Sequence, residues 1–357
     1  MSAPGNPRVS VIIAAYNGAA LIGETIASLK AQTFTDFEAV IVDDLSTDGT
    51  RALLAAINDP RFRVIEAEAN RGPVHSRNRA FSVARGRYIA GLDQDDLCAP
   101  TRLAEQVAYL DAHPDTVLVA SAADVIEGGR VRPARLPAVT CPALVEWMLW
   151  ICNPLVWSSV MVRGDAARVL EPFTRPDRLY AEDFDLYHRL AAHGRIARID
   201  TPLLHYRAHE GGASNRHTAI MLASAAAVLA ERYAPYFEDS GARAQLVATH
   251  VMAGTPVPDR TTLARLGETL AALQAAFIAA RAPDAEGLRR IRWETARLWA
   301  GIGRAGLRSG ALALADALSV RPDHLGLGYA GVDQLLLSRL VGGARRLRGR
   351  AEMIFAL

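Results

Sequence analysis

Apolar and polar positions alternate on two different periods along this chain, and the change of period divides it in two. Val9-Ser10-Val11-Ile12-Ile13-Ala14-Ala15 is a near-continuous apolar run rich in β-branched residues, the pattern of a strand buried on both faces. Tyr16-Asn17-Gly18 breaks it, and Leu21, Ile22, Ile26 and Leu29 then recur at helical spacing. Glu38 to Val42 reads as a second buried strand, stopping at Asp43-Asp44. Ser46-Thr47-Asp48-Gly49-Thr50 offers cap residues and a turn before a helix through Leu53, Leu54 and Ile57. Phe62 to Ile65 predicts a third strand. Gly72-Pro73 opens a helix that Gly86 closes, and Tyr88 to Leu92 predicts a fourth strand.

Strands alternating with helices at this spacing predict βαβ units and a mostly parallel α/β sheet. The pattern continues with a helix through Leu103, Val107 and Leu110 and strands at Val117–Ala120, Val160–Val162 and Ile196–Ile199. Residues 128–142, rich in Gly, Pro and Arg, are expected to form a mobile surface loop. Trp147, Trp150 and Trp157 read either as core packing or as a stacking platform for a sugar ring. From Ala219 onward Ala and Leu dominate and strand signals vanish. The expected division is therefore an α/β domain over 1–215 and an α-helical domain over 216–357.

The fourth strand delivers the most informative stretch, Gly91-Leu92-Asp93-Gln94-Asp95-Asp96. Three carboxylates within four residues at a strand end repel one another unless a cation neutralises them. Hard divalent cations such as Mg²⁺ or Mn²⁺ prefer such oxygen ligands. In open α/β sheets the carboxyl ends of strands are also where ligands bind. This stretch reads as a metal–diphosphate site; the other reading is a solvated acidic turn capping the helix after Pro100. No Gly-x-Gly-x-x-Gly follows the first strand and no Gly-Lys-Thr loop is present, which argues against a dinucleotide-binding domain and a P-loop. Glu182-Asp183 precedes a helix through Leu186 and Leu190, where acids are also favoured by the dipole. Tyr206-Arg207-Ala208-His209 leads into a polar, glycine-containing loop.

Charge refines this picture. The net charge is +2, but residues 1–215 hold 22 Arg/Lys against 26 Asp/Glu, and residues 216–357 hold 18 against 12. An acidic half would carry the site and a basic half could face an anionic surface. At the end, Leu335, Leu336, Leu340 and Val341 lie beside Arg339, Arg345, Arg346, Arg348 and Arg350, an amphipathic pattern suited either to peripheral contact with anionic lipid or to a packed terminal helix. Half of the residues are apolar and 22% charged, an ordinary globular composition. No apolar run is expected to span a bilayer, which needs roughly 20 residues, and no signal peptide is expected. Three cysteines, Cys98, Cys141 and Cys152, share no ligand spacing, which fits a cytoplasmic, reducing compartment.

Taken in order, Val9 to Asn17, Ile41-Val-Asp-Asp44 with Ser46 to Thr50, Asn70-Arg-Gly72 with Arg77-Asn78, Leu92-Asp-Gln-Asp-Asp96 with Pro100, Glu182-Asp183 and Arg207-x-His209 resemble the motifs of the inverting family-2 glycosyltransferases. The resemblance covers about 200 residues and none of the helical half. It implies a glycosyltransferase-A fold and a nucleotide-diphosphate sugar as donor, with a glycan, lipid-linked or protein acceptor and no nucleic acid. It further implies that Ala14, Ala15 and Tyr16 line the nucleobase pocket, that Asp44 binds base or ribose, that Arg77 approaches the nucleotide, and that Asn17 and Gly72 belong to the donor-binding site. Asp95 and Asp96 would hold Mn²⁺ or Mg²⁺, with Asp93 nearer the ribose or sugar and His209 completing the metal site. Asp183 would be the catalytic base. A role in bacterial polysaccharide or glycoconjugate assembly follows from the family alone. Leu45 departs from the family's usual small residue, and the Gln-x-x-Arg-Trp signature of processive synthases is absent. Two rivals remain at this point: a sugar-nucleotide nucleotidyltransferase, and a catalytically degenerate scaffold.

Overall fold

The computed structural model describes residues 6–134, 137–209, 216–320, 322 and 334–343. The chain divides into two compact units, Met1–Glu146 with Asn153–Ser224, and Trp147–Cys152 with Ala225–Leu357.

The first unit is built on β1 (Val9–Ala15), β2 (Phe37–Asp43), β3 (Phe62–Glu66), β4 (Tyr88–Gly91), β5 (Leu97–Cys98), β6 (Thr116–Glu127), β7 (Arg130–Pro133), β8 (Val160–Arg163) and β9 (Arg195–Ala208). They form one sheet in the order β3-β2-β1-β4-β8-β6-β9-β5, with β7 paired to β6. The run β3-β2-β1-β4 is parallel, as the alternation of elements predicts. Beyond β4 the sheet is mixed: β8 lies antiparallel between β4 and β6, and β9 runs parallel to β6. The apolar runs read as doubly buried strands are so, with Val9, Val11, Ile12 and Ile13 all fully buried.

Register places the chemistry. Ala15 pairs with Asp43 and Ile12 with Gly91, so the residues that follow β1, β2 and β4 emerge along one rim. Helix α1 (Ile22–Lys30) buries Ile22, Thr25, Ile26 and Leu29 against this sheet. Helix α3 (Pro73–Val83), which follows α2 (Thr50–Ala55), starts at a proline that costs no helical hydrogen bond. It is preceded by Gly72 at φ +87°, a conformation that disfavours any side chain. Helices α4 (Arg102–Ala112), α5 (Pro142–Leu149), α6 (Gly164–Arg168) and α7 (Glu182–Leu190) follow.

Within the expected surface loop over 128–142, residues 130–133 form the exposed strand β7. Gly128 and Gly129, at φ +55° and +76°, turn β6 into β7, the two-residue hairpin that paired glycines favour. Glycines were read there as flexibility, whereas here they supply positive φ; residues 135 and 136 lie outside the described residues.

The second unit is helical: α8 (Thr218–Tyr233), which begins within the first unit, then α9 (Ser240–Val247), α10 (Arg260–Arg281), α11 (Ala285–Ser309) and α12 (Leu314–Ser319), with residues 334–343 also helical. Trp147 and Trp150 belong to its core. Trp147 Nε1 donates to Thr295 Oγ1 at 2.9 Å, and both rings pack on Phe277. Trp157 belongs to the other unit, so the three tryptophans do not form one cluster. Among the described residues α10 alone is long and apolar enough to cross a membrane by length and composition, although Arg265 and Glu268 interrupt its apolar stretch. Leu263, Leu266, Leu270, Leu273 and Phe277 bury one face of it within its own unit. In 334–343, Leu335 is buried while Leu336, Leu337 and Leu340 are exposed. Arg345, Arg346, Arg348 and Arg350 lie outside the described residues.

Candidate active site

Three loops of the rim are locked to one another. Tyr16 N donates to Gln94 Oε1 at 2.9 Å, and Gln94 Nε2 donates back to Tyr16 O at 3.0 Å. Asn17, at φ +47°, accepts from Thr47 N through its side chain and donates its own amide to Ser46 Oγ. Ser46 N and Oγ both donate to Asp43. Ala15 is buried, Ala14 half-buried and Tyr16 exposed, so the expected base-pocket residues form a ledge with an open aromatic edge. Leu45 stands at φ +63°, which explains why a small residue suits that position.

Asp44 is buried, and both of its oxygens are taken: Oδ1 accepts from Arg71 N at 3.0 Å and Oδ2 from Gly72 N at 2.7 Å. Its carboxylate anchors the loop that starts α3. From α3, Arg77 reaches the rim. Its Nη2 donates to Asp93 Oδ1 at 2.8 Å and its Nη1 to Glu182 Oε1, while the guanidinium lies 4.9 Å over the Trp157 ring. Burial opposes this charge, and Asp93 and Glu182 more than offset it, so the Arg77 pKa is raised.

The acids after β4 are arranged by partners distant in the sequence, more than a hundred residues away for Asp95 and Asp96. Asp93 N donates to Ser158 Oγ at 3.0 Å. Short strand β5 pairs with β9, Leu97 opposite His205 and Cys98 opposite Leu204. That pairing carries the end of β9 over the acids: Arg207 N donates to Asp96 Oδ1 at 2.9 Å, and His209 Nε2 lies 2.8 Å from Asp95 Oδ2. Residues 210–215 lie outside the described residues. Asp96 is 1% exposed, and its Oδ2 has no hydrogen-bond partner among the described residues. Desolvation first, then Asp93 and Asp95, push its carboxyl well above the usual range. Asp95 is raised by burial and Asp93, with His209 opposing.

These residues fit a hard divalent cation. A buried carboxylate oxygen without a donor is rare unless something outside the protein satisfies it, and stacked carboxylates beside one imidazole are oxygen-rich ligands for Mg²⁺ or Mn²⁺. Among the described residues no three such side chains converge as a finished cage. Asp95, Asp96 and His209 would supply part of a coordination shell, leaving positions for other oxygens.

Asp183 sits in the first turn of α7. Its Oδ1 accepts from Phe184 N at 2.7 Å and its Oδ2 from Asn153 Nδ2 at 3.1 Å. Desolvation, then the neighbouring Glu182 charge, raise its pKa to about 6, against the pull of Arg77. Tyr187, one turn on, is buried, its hydroxyl has no hydrogen-bond partner among the described residues, and its pKa is strongly raised, from burial first and Asp183 second. Arg77 thus joins Asp93 to Glu182, the chain neighbour of Asp183, while the end of β9 holds Asp96 through Arg207 N and Asp95 through His209. Asp44, after β2, and Gly72, which precedes α3, form a neighbouring anchor for the helix that carries Arg77. Glu182, Asn153 and Gln94 carry no role in the sequence reading; adjacency to the named acids is the only sequence signal for Glu182 and Gln94, and Asn153 has none, whereas Trp157, one of the tryptophans read as core or as a sugar platform, lies under the Arg77 guanidinium.

Comparison with known proteins agrees with this geometry. Residues 10–157 match the family described as glycosyl transferase family 2. Over 147 residues the chain is 43% identical to the succinoglycan biosynthesis protein ExoO of Rhizobium meliloti, covering 39% of this chain and 42% of ExoO, less than half the length of that relative. Over 212 residues it is 31% identical to the Escherichia coli protein WfaP, named as a UDP-Glc:α-D-GlcNAc-diphosphoundecaprenol β-1,3-glucosyltransferase, covering 58% of this chain and 79% of WfaP. Staphylococcus aureus TarS 1–349, solved with UDP-GlcNAc, shares the fold at a TM-score of 0.53 and 19% identity, over 95% of this chain and 92% of that one. With a rim of ordered acids on a sheet of this topology and a relative matched over most of its length, the chain belongs to glycosyl transferase family 2.

Proposed function

We propose that the chain transfers one sugar from a nucleoside-diphosphate sugar to a hydroxyl of a lipid-linked or glycan acceptor during bacterial polysaccharide assembly, inverting the anomeric centre. The observation that carries this reading is the pairing of two acidic groups with opposed tasks. Asp95 and Asp96, with His209, form an oxygen-rich rim around an unsatisfied buried carboxylate oxygen. Asp183, on another helix, is held with a pKa near 6.

A divalent cation bound by Asp95, Asp96 and His209 would neutralise charge on the departing diphosphate. The chain's own residues do the rest. Tyr16 and Gln94 present a ledge for the nucleoside. Asp183 accepts the acceptor proton as the hydroxyl oxygen forms its bond to the anomeric carbon and the bond to the diphosphate oxygen breaks. A carboxylate with a pKa near 6 is ionised at pH 7 yet more basic than an ordinary aspartate, which suits general-base work. A single displacement of this kind inverts configuration. The names of ExoO and WfaP, which specify succinoglycan biosynthesis and a diphosphoundecaprenol-linked acceptor, support the acceptor class. Absence of the Gln-x-x-Arg-Trp signature supports addition of single sugars.

The test is titration calorimetry of UDP and other nucleoside diphosphates with and without Mn²⁺, on the parent chain and on Asp96→Ala. Metal-dependent binding should fall at least tenfold in the variant, about 1.4 kcal/mol or more. Equal binding by both proteins would count against the assignment. A panel of sugar nucleotides with a GlcNAc-diphosphate-lipid acceptor then identifies the donor.

A further inference from the structure

Arg77 would be expected to reach toward a nucleotide, yet its guanidinium is spent elsewhere. Its side chain is 10% exposed, and its two terminal nitrogens donate to Glu182 and Asp93. Arg77 Nε and Glu182 Oε2 are buried without hydrogen-bond partners among the described residues. The fork lies over Trp157, whose ring is in turn set by Gly91: a Cβ there would sit 2.6 Å from Trp157 Cε2. Arg77 therefore spans three elements, from α3 to the loop after β4 on one side and the first turn of α7 on the other.

We propose that Arg77 and Glu182 are positioning residues: their ion pair ties the rim carboxylate Asp93 to the helix turn that carries Asp183, and the Glu182 charge acts on Asp183 from one residue away. The role given to Asp183 rests on its reading as the base. Arginine suits the span because its rigid fork serves two carboxylates at once, which a lysine ammonium on a flexible stem does not reproduce. The charged and titratable groups facing Asp183 are few. Glu182 and Tyr187 come from its own helix and Arg77 from α3, while Asn153 supplies a neutral donor from the preceding segment. The Glu182 anion raises the Asp183 pKa and the Arg77 cation lowers it, so the two charges act in opposition.

Two experiments on variants of the whole chain separate the strut from the charge. The carboxyl titration of Asp183 is followed by ¹³C NMR with labelled aspartate, so the readout needs no substrate. In Glu182→Gln the midpoint should drop by about one pH unit, because a like charge is removed and Arg77 remains. A midpoint equal to that of the parent overturns the charge role. For the strut, UDP binding with Mn²⁺ is measured for Arg77→Lys, Asp93→Asn and the double variant. Each single change should weaken binding about tenfold, and the double should be no worse than either, the signature of two residues acting as one unit. Independent, additive losses would instead make Arg77 a separate ligand and overturn the strut. Failure of the base reading shows differently: Asp183→Asn would then keep turnover in the sugar-nucleotide panel, while the titration and the binding cycle still decide the pair.

Discussion

At the scale of single residues, Asp183 shows how a site is held against the preference of its surroundings. Its pKa near 6, raised by burial and by Glu182, means that the fold binds the Asp183 proton more tightly than the unfolded chain does, where an aspartate titrates near 3.8. The sign follows from linkage. Below about pH 4 both states are protonated and nothing is lost. Between about 4 and 6 the native state is progressively penalised, and above 6 the penalty is constant. Asp183→Asn should therefore raise the melting temperature by a few degrees at pH 7.5, a gain of up to about 3 kcal/mol. The gain should vanish at pH 4, as scanning calorimetry at the two pH values would show. The same variant should lose transfer by a factor of about 100 or more. In the parent, kcat/KM should fall below pH 6 as the base protonates. A variant less stable at pH 7.5, or a rate insensitive to pH between 5 and 7, would contradict this account.

At the scale of elements, the site depends on where strand β4 ends. Gly91 is its last residue, and Trp157 fills the space a side chain would occupy. Gly91→Ala should drive the indole off its seat, lower stability by about 1–3 kcal/mol, and weaken UDP binding through the Arg77 that lies over the ring. Denaturant unfolding and calorimetry would measure the two effects, and unchanged values for both would show the packing to be looser than described. The sequence could not announce this constraint. Periodicity located β1, β2 and β4 because doubly buried parallel strands are written as continuous apolar runs, and it located β3 although that edge strand is only half-buried. It also located the acids, because three carboxylates in four residues are conspicuous. It could not show that β8 inserts antiparallel beside β4, nor that β5, two residues long, fastens β9 across the rim. Such pairings depend on register between segments about a hundred residues apart, on which local pattern is silent. The hairpin at Gly128-Gly129 was obscured for a related reason: glycine marks both a flexible loop and a turn that requires positive φ, and only the pairing of β6 with β7 tells them apart. Glu182 was legible as an acid at a helix start, but its partner Arg77 lies 105 residues earlier.

At the scale of the whole molecule, every residue given a part in the proposed reaction lies in the first unit, including Asn153, which follows the short excursion Trp147–Cys152 into the second. The second unit has its own core. Trp147 is fully buried and donates to Thr295, which also accepts from Gln274 Nε2 at 2.7 Å, while Tyr233 OH donates to Trp150 O. Trp147→Ala removes the largest fully buried side chain of that core and strands the Thr295–Gln274 pair, a loss of about 3–5 kcal/mol. The damage should be local. Hydrogen exchange should quicken in α10 and α11, while the amides of β1, β2 and β4 keep their protection. Affinity for UDP with Mn²⁺ should stay within about twofold of the parent, since the ledge, the acids and Arg77 are built entirely from the other unit. Collapse of nucleotide binding in this variant would mean that the helical unit takes part in donor recognition.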